Sequence, residues 1–322
     1  MLRVGFMGAL SASFAESVRA RLSVLCEIVT LDEAAIIAAL PDLDVLVTLV
    51  FTPPMGAAAT RLRLVQVPGA GLDRIDRTAL PASASLANVH CHETGIAEYV
   101  LGAMLAMSRS FGRLDAALRV GRWESQWAPG TPPPPWPELA GRTLGILGYG
   151  HIGQALARRA RAFEMDVLAV RRNPPASDPY ATVSGADRLD HVLGRADYLA
   201  LTLPLTPATR GLIGEGALRR MKESAVLINV ARAEIIDEDA LYHALAEKRI
   251  AGAALDVWYR YPTGSGPTFP SRQPFHELPN VLMTPHVSGW TDGMLAARAQ
   301  LIADNIRRSA EGLPPANLVA RA

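Results

Sequence analysis

The chain has 322 residues, 49% of them hydrophobic and 20% charged, which is enough apolar material for about two folded domains and too much for a disordered chain. Lysine and arginine number 32 against 31 acidic residues, a net charge of +1, so nothing electrostatic points to nucleic acid or an anionic membrane as the partner. Two cysteines, Cys26 and Cys91, cannot build a disulfide framework, and a reducing cytoplasm is the expected location.

The N-terminal stretch MLRVGFMGAL carries one charge and a short apolar run, and reads as an opening β-strand rather than an export signal. Apolar runs at 4–6, 45–50 and 64–67 predict strands. The apolar stretch 95–107 carries Glu98 and predicts a buried helix; no stretch reaches the roughly 18 residues of a membrane span. Just before it, His90, Cys91, His92 and Glu93 stand side by side. Consecutive side chains of an extended segment point to opposite faces, so they cannot converge on one ion and no metal is expected. The proline-rich stretch 129–137 must be extended and predicts a stiff connection. Beyond it, strands are predicted at 143–147, 167–170, 198–203, 225–230, 251–257 and 281–284, with helical patterns at 154–163, 237–247 and 294–311. Runs such as AVLINV are apolar on both alternating faces, as in a parallel sheet covered by helices on both sides. The alternation predicts doubly wound α/β architecture.

The run TLGILGYGHIG, residues 143–153, is a strand entering a glycine turn that opens a helix. Gly148 permits the tight turn, Gly150 lets backbone approach a pyrophosphate, and Gly153 lets the helix pack closely on the strand. Tyr149, His151 and Ile152 complete the turn, and the helix N-terminus offers free N–H groups to phosphate. This predicts dinucleotide binding on a Rossmann-type unit. An acidic residue about 20 positions on would favour NAD. Here the second strand ends in Val170, Arg171, Arg172 and Asn173. Two guanidiniums suit a 2′-phosphate, so NADP(H) is expected as the preferred cofactor with NAD(H) second.

In four stretches the sequence resembles the D-isomer-specific 2-hydroxyacid dehydrogenases, glyoxylate/hydroxypyruvate reductases among them. These are VPGAGLDRID at 67–76, GRTLGILGYGHIGQ at 141–154, LPLTPATRGLIG at 203–214, and the ordered set Ile228 to Arg232, Leu255 to Trp258 and Thr284 to His286. The resemblance implies a cofactor domain, 96–288, inserted into a smaller flavodoxin-like α/β substrate domain made of 1–95 and 289–322, with the site in a cleft that closes on substrate. It implies hydride transfer between the nicotinamide and C2 of a small 2-oxo or 2-hydroxy acid, and a homodimer joined through the cofactor domain; the apolar helix at 96–107 suits such an interface and the core equally well. Pro204, Thr209, Val230, Ala231 and Gly289 would border the cofactor, with Asp256 near the nicotinamide. Arg232 would hold the substrate carboxylate and polarise its carbonyl, and His286 would supply the proton. Backbone N–H groups of Gly69, Ala70 and Gly71 would form a nest for the carboxylate, and His92 and Glu93 would line the pocket at the crossing between domains.

The sequence also departs from that family. A glutamate that pairs with the histidine is expected five residues after Asp256, and this chain has Tyr261 there, followed by Pro262. A phenol orients an imidazole but stabilises imidazolium far less than a carboxylate does. Either His286 works with a lower pKa, or another carboxylate, Glu93 or Glu277 first, replaces the missing partner. Ala233 stands where glycine is usual after the arginine, and residues 262–273 form a longer loop that could cover the site. Two other functions stay open: a dehydrogenase of another small anion of the formate or phosphite type, which needs no alkoxide protonation, and a non-catalytic NAD(P)-sensing protein resembling the family's corepressors.

Overall fold

The computed structural model describes residues 1–130 and 132–319, so Thr131 of the proline stretch and residues 320–322 lie outside the described residues. The chain divides into two compact units, Met1–Cys91 with Thr291–Ala322, and His92–Trp290. The boundaries fall a few residues from 95/96 and 288/289. The helix Glu93–Arg109 runs unbroken through the former point and belongs wholly to the second unit, while Cys91 just before it takes φ +69°.

The first unit is a five-stranded sheet. Its strands are β1 (Leu2–Met7), β2 (Cys26–Leu31), β3 (Val45–Val47), β4 (Leu64–Gln66) and β5 (Ser85–Ala87), in the order β2-β1-β3-β4-β5. Every pairing is parallel. Alternation divides β3 between two cores: Val45 and Val47 pack with Ala299, Ile302 and Ile306 of the helix Asp292–Ala310, and Leu46 packs with Leu40, Phe51 and Leu62 on the other face. That is why the run has no polar face.

The second unit holds β6 (Thr143–Leu147), β7 (Asp166–Val170), β8 (Thr182–Ser184), β9 (Tyr198–Leu201), β10 (Val226–Asn229), β11 (Gly252–Leu255) and β12 (Val281–Met283). The order is β12-β11-β10-β9-β6-β7-β8, again parallel throughout. Strand order reverses between β6 and β9, and open α/β sheets bind ligands at that kind of switch point, beyond the carboxyl ends of the strands. The helix at 93–109 buries Ile96, Ala97, Val100, Leu101 and Met104 in the unit's own core against β6 and the helix His151–Ala162. Core packing therefore accounts for its apolar face. A run of exposed apolar residues follows it, at Phe111, Leu118, Val120, Trp123 and Trp127. No helix among the described residues is long and apolar enough to cross a membrane.

Candidate active site

The glycine turn after β6 is shaped by missing atoms. Gly148 has φ +100°, and a Cβ there would lie 2.5 Å from the backbone nitrogen of Leu203. At Gly153 a Cβ would lie 2.6 Å from the carbonyl oxygen of Gly148. Around Gly150, by contrast, a Cβ would meet nothing within 4 Å. Two glycines are thus required by the chain itself, and the middle one leaves an open cradle. Gly150 is also the N-cap of the helix His151–Ala162 and offers no capping side chain, so the first-turn N–H groups are left for an anion. This cradle fits a dinucleotide pyrophosphate.

The rim is tied to the turn. The hydroxyl of buried Tyr149 donates to Asp178 Oδ1 at 2.7 Å, and that oxygen also accepts from the N–H groups of Tyr180 and Ala181. Burial, reinforced by Asp178, holds the Tyr149 phenol well above its ordinary pKa. Asp178 thereby fixes the segment that follows Arg171 and Arg172. Neither arginine makes an ion pair among the described residues, and Arg172 is exposed. Across the turn, Thr202 Oγ1 donates to the Gly148 carbonyl at 2.6 Å, and Thr209 Oγ1 to that of Pro204 at 2.7 Å.

The remaining groups sit beyond β10, β11 and β12. Val230, Ala231 and Arg232 follow β10, where the Asn229 side chain accepts from the Ala231 N–H and donates to the Arg232 carbonyl. Arg232 Nη1 donates to the Ala231 carbonyl at 2.7 Å. Beyond β12, His286 takes φ +58°, a left-handed backbone seldom adopted by a non-glycine residue. Its Nδ1 lies 2.7 Å from the Tyr261 hydroxyl. The Trp258 N–H points at the same phenol oxygen from 3.4 Å. With the phenol as donor, Nδ1 of the neutral ring accepts and the ring's own proton sits on Nε2.

Electrostatics follow the same arrangement. Packing at the inner side of the ring pushes the His286 pKa below its ordinary value; Asp256 opposes this and Arg232 adds to it, although the outer edge of the ring is open to solvent. Packing around the hydroxyl pushes Tyr261 up, with Arg232 acting against it. The guanidinium therefore acts on both groups. Neither carboxylate considered for the missing glutamate pairs with His286. Glu277 is exposed beside His276 at 3.8 Å, and Glu93 has a buried Oε2 with no hydrogen-bond partner among the described residues. Tyr261 itself occupies the partner's place.

The side chain of Asp256 is fully buried and turned into the 284–288 turn, with both oxygens engaged by Thr284, Val287 and Ser288. Thr284, Tyr99 and Asp178 were not anticipated from the sequence. The only sequence signal for Thr284 was its place in the Thr-Pro-His run. The loop from 262 to 269 is exposed; its base is closed by the Arg260 N–H on the Pro270 carbonyl, and Arg272 is fixed to Glu238 and Asp239. A Cβ on Gly289 would lie 3.4 Å from Cβ of His92, which brings the start of the helix at 93–109 beside the turn that carries His286. In the first unit, the Gly69 and Ala70 carbonyls accept from Val89 N–H and the Asn88 side chain, while the N–H groups of Gly69, Ala70 and Gly71 donate to nothing among the described residues. No group of three His, Cys, Asp or Glu side chains is placed to hold a metal ion among the described residues.

Residues 101–288 match the family described as D-isomer specific 2-hydroxyacid dehydrogenase, NAD binding domain. The chain is 35% identical over 299 residues to a glyoxylate reductase of Korarchaeum cryptofilum, covering 88% of this chain and 85% of that protein. It is 34% identical over 271 residues to the D-3-phosphoglycerate dehydrogenase of Methanocaldococcus jannaschii, covering 81% of this chain but only 48% of that protein, so it spans about half the length of that relative. Among solved structures, an NADPH-dependent glyoxylate/hydroxypyruvate reductase from Sinorhizobium meliloti, in complex with NADP and malonate, superposes with a TM-score of 0.82 at 27% identity, covering 99% of this chain and 97% of that one.

Proposed function

The chain belongs to the D-isomer-specific 2-hydroxyacid dehydrogenase family, and on that premise we propose that it is an NADPH-preferring reductase of small 2-oxo acids such as glyoxylate or hydroxypyruvate. The observation that carries this reading is the hydrogen bond between Tyr261 and His286 within the field of Arg232. Cation, proton donor and orienting partner are gathered at the carboxyl ends of neighbouring strands, which is the set that carbonyl reduction requires.

When bound, NADPH supplies a hydride to C2 of the substrate. The N–H groups at Gly148–Gly153, with Tyr149, His151 and Ile152, would hold its pyrophosphate. Pro204, Thr209, Val230, Ala231 and Gly289 would border it, and Arg171 and Arg172 would take the 2′-phosphate. The planar fork of Arg232 binds the carboxylate and polarises the carbonyl. His286, once protonated, gives the proton on Nε2 to the developing alkoxide, and Tyr261 keeps the ring oriented from the Nδ1 side. In the first unit, the N–H groups of Gly69, Ala70 and Gly71 would by themselves suit a small anion. His92 and Glu93 are assigned to the rest of the substrate. The relative solved with NADP and malonate, a small dicarboxylate, supports both the cofactor and the substrate class. The exposed apolar residues between Phe111 and Trp127 support a homodimer, testable by light scattering.

The test is steady-state turnover of a 2-oxo acid panel with NADPH and NADH, with formate and phosphite alongside. Reduction of glyoxylate or hydroxypyruvate with NADPH preferred is expected. Turnover of formate or phosphite alone, or tight NADPH binding without any turnover, would overturn the reading.

A further inference from the structure

We propose that Asp256, Thr284 and Tyr99 form a clamp that holds the backbone of His286 in its left-handed conformation, and that all three are positioning residues for the proton donor. This rests on the reading of His286 as the acid, and it assigns to these residues a task that carbonyl reduction alone does not reveal.

Left-handed backbone in a non-glycine residue persists only where its surroundings over-determine it. Around His286 they do. Asp256 Oδ1 accepts from Thr284 Oγ1 at 2.6 Å and from the Val287 N–H at 2.8 Å, and Oδ2 accepts from the Ser288 N–H at 2.9 Å. One carboxylate therefore grips the chain on both sides of the histidine. The Trp258 indole N–H donates to the Thr284 carbonyl at 2.8 Å. Asp256 has no exposed surface, and a carboxylate so buried is tolerable because charge-assisted bonds engage both of its oxygens.

The hydroxyl relay has a direction. Thr284 spends its only proton on Asp256, so the Tyr99 hydroxyl, 2.6 Å from Thr284 Oγ1, must be the donor in that contact. Tyr99 belongs to the helix at 93–109, which is anchored in the core of the same unit. The turn that carries His286 is thus fastened to β11 through Asp256 and to the core helix through Tyr99. The groups acting on the imidazole are then Tyr261 on Nδ1, Arg232, and Asp256 from beneath, with Tyr99 reaching it through Thr284 and Glu234 acting on Tyr261.

Asp256→Asn would set an amide N–H₂ or a weaker acceptor against two backbone donors and is expected to disorder the turn, so the hydroxyl variants carry the test. Full-length Thr284→Ser, Thr284→Val and Tyr99→Phe are compared for hydroxypyruvate reduction across pH and for NADPH affinity by fluorescence titration. The titration of the His286 ring nitrogens is followed by ¹⁵N NMR. Thr284→Ser is expected to stay within about twofold of the parent, Tyr99→Phe to lose about fivefold in kcat, and Thr284→Val about 30-fold, since small misplacements of a catalytic group cost up to about 100-fold. NADPH affinity should hold within about twofold throughout, because the clamp does not touch the glycine turn, while the His286 titration moves in Thr284→Val. An unchanged kcat and titration in Thr284→Val would overturn the clamp, as would loss of NADPH affinity in proportion to kcat. The nitrogen titration needs no turnover and so separates the two ideas. A His286→Asn variant that still reduces the acid ends the reading of His286 as proton donor, and an unmoved titration ends the clamp.

Discussion

Two regions of the second unit do their work by opposite means. At the carboxyl end of β6 the chain makes room: Gly148 and Gly153 admit no side chain, and Gly150 leaves backbone bare where a ligand would lie. At the edge formed by β10, β11 and β12 the chain fills space with side chains that hold one another, from Tyr99 through Thr284 and Asp256 to the His286 turn. The open shape of the first region comes from three glycines close in sequence, although its neighbours Leu203 and Asp178 are distant. Shape in the second depends on groups as far apart as Tyr99 and Thr284. A substitution should therefore act locally and sterically in one, and through partners in the other.

The sharpest way to break this comparison is at the cation. Arg232→Met removes the only group assigned to both carboxylate and carbonyl, and kcat/KM should fall about 10³-fold with NADPH affinity nearly unchanged. Steady-state kinetics that show less than a tenfold loss would move the chemistry elsewhere. Gly148→Ala comes next. Its Cβ would strike Leu203 backbone in a φ that L residues rarely adopt, so melting temperature should drop by about 5 °C and NADPH affinity by about 10²-fold. Gly150→Ala sharpens the contrast within the turn. Its Cβ meets no protein atom, so thermal stability should hold while NADPH affinity, read by fluorescence titration, falls about tenfold. Smaller still is Arg171→Ala with Arg172→Ala, expected to lower the ratio of kcat/KM for NADPH over NADH about tenfold and to leave the NADH value within about twofold.

Much of the fold could be read from the residues because most strands are apolar on both faces. The strands missed were Cys26–Leu31, Ser85–Ala87 and Thr182–Ser184, and all three are sheet edges. Edge strands cover less surface; the half-exposed pattern of Cys26–Leu31 and the polar Thr-Val-Ser run at 182–184 carry no continuous apolar signal. Strand ends were overrun where an apolar run continues into the site loop. The run at 198–203 leaves the sheet after Leu201, where Thr202 turns to bond the Gly148 carbonyl.

The candidate site divides in the same way. Gly148, Gly150, Gly153, Arg232 and His286 are singled out as candidates by residue type and by position after a strand. Asp178 beneath Tyr149, and Thr284 with Tyr99 beneath His286, could not be found so, because a hydroxyl partner far away in sequence leaves no spacing to read. The burial of Asp256 belongs with these: its three hydrogen bonds join it to a turn about 30 residues further along the chain, which no local pattern reveals.

The central claim is that a phenol stands where a carboxylate would otherwise face the imidazole proposed as proton donor, and the pH dependence of Tyr261→Glu tests it most directly. On the proposed reading, reduction needs protonated His286. With its pKa held below the ordinary value of about 6.5, the parent rate should fall as pH rises through that lowered value. A glutamate at 261 would stabilise the imidazolium and carry that limb to higher pH by about one unit. A limb that stays where the parent has it would contradict the account.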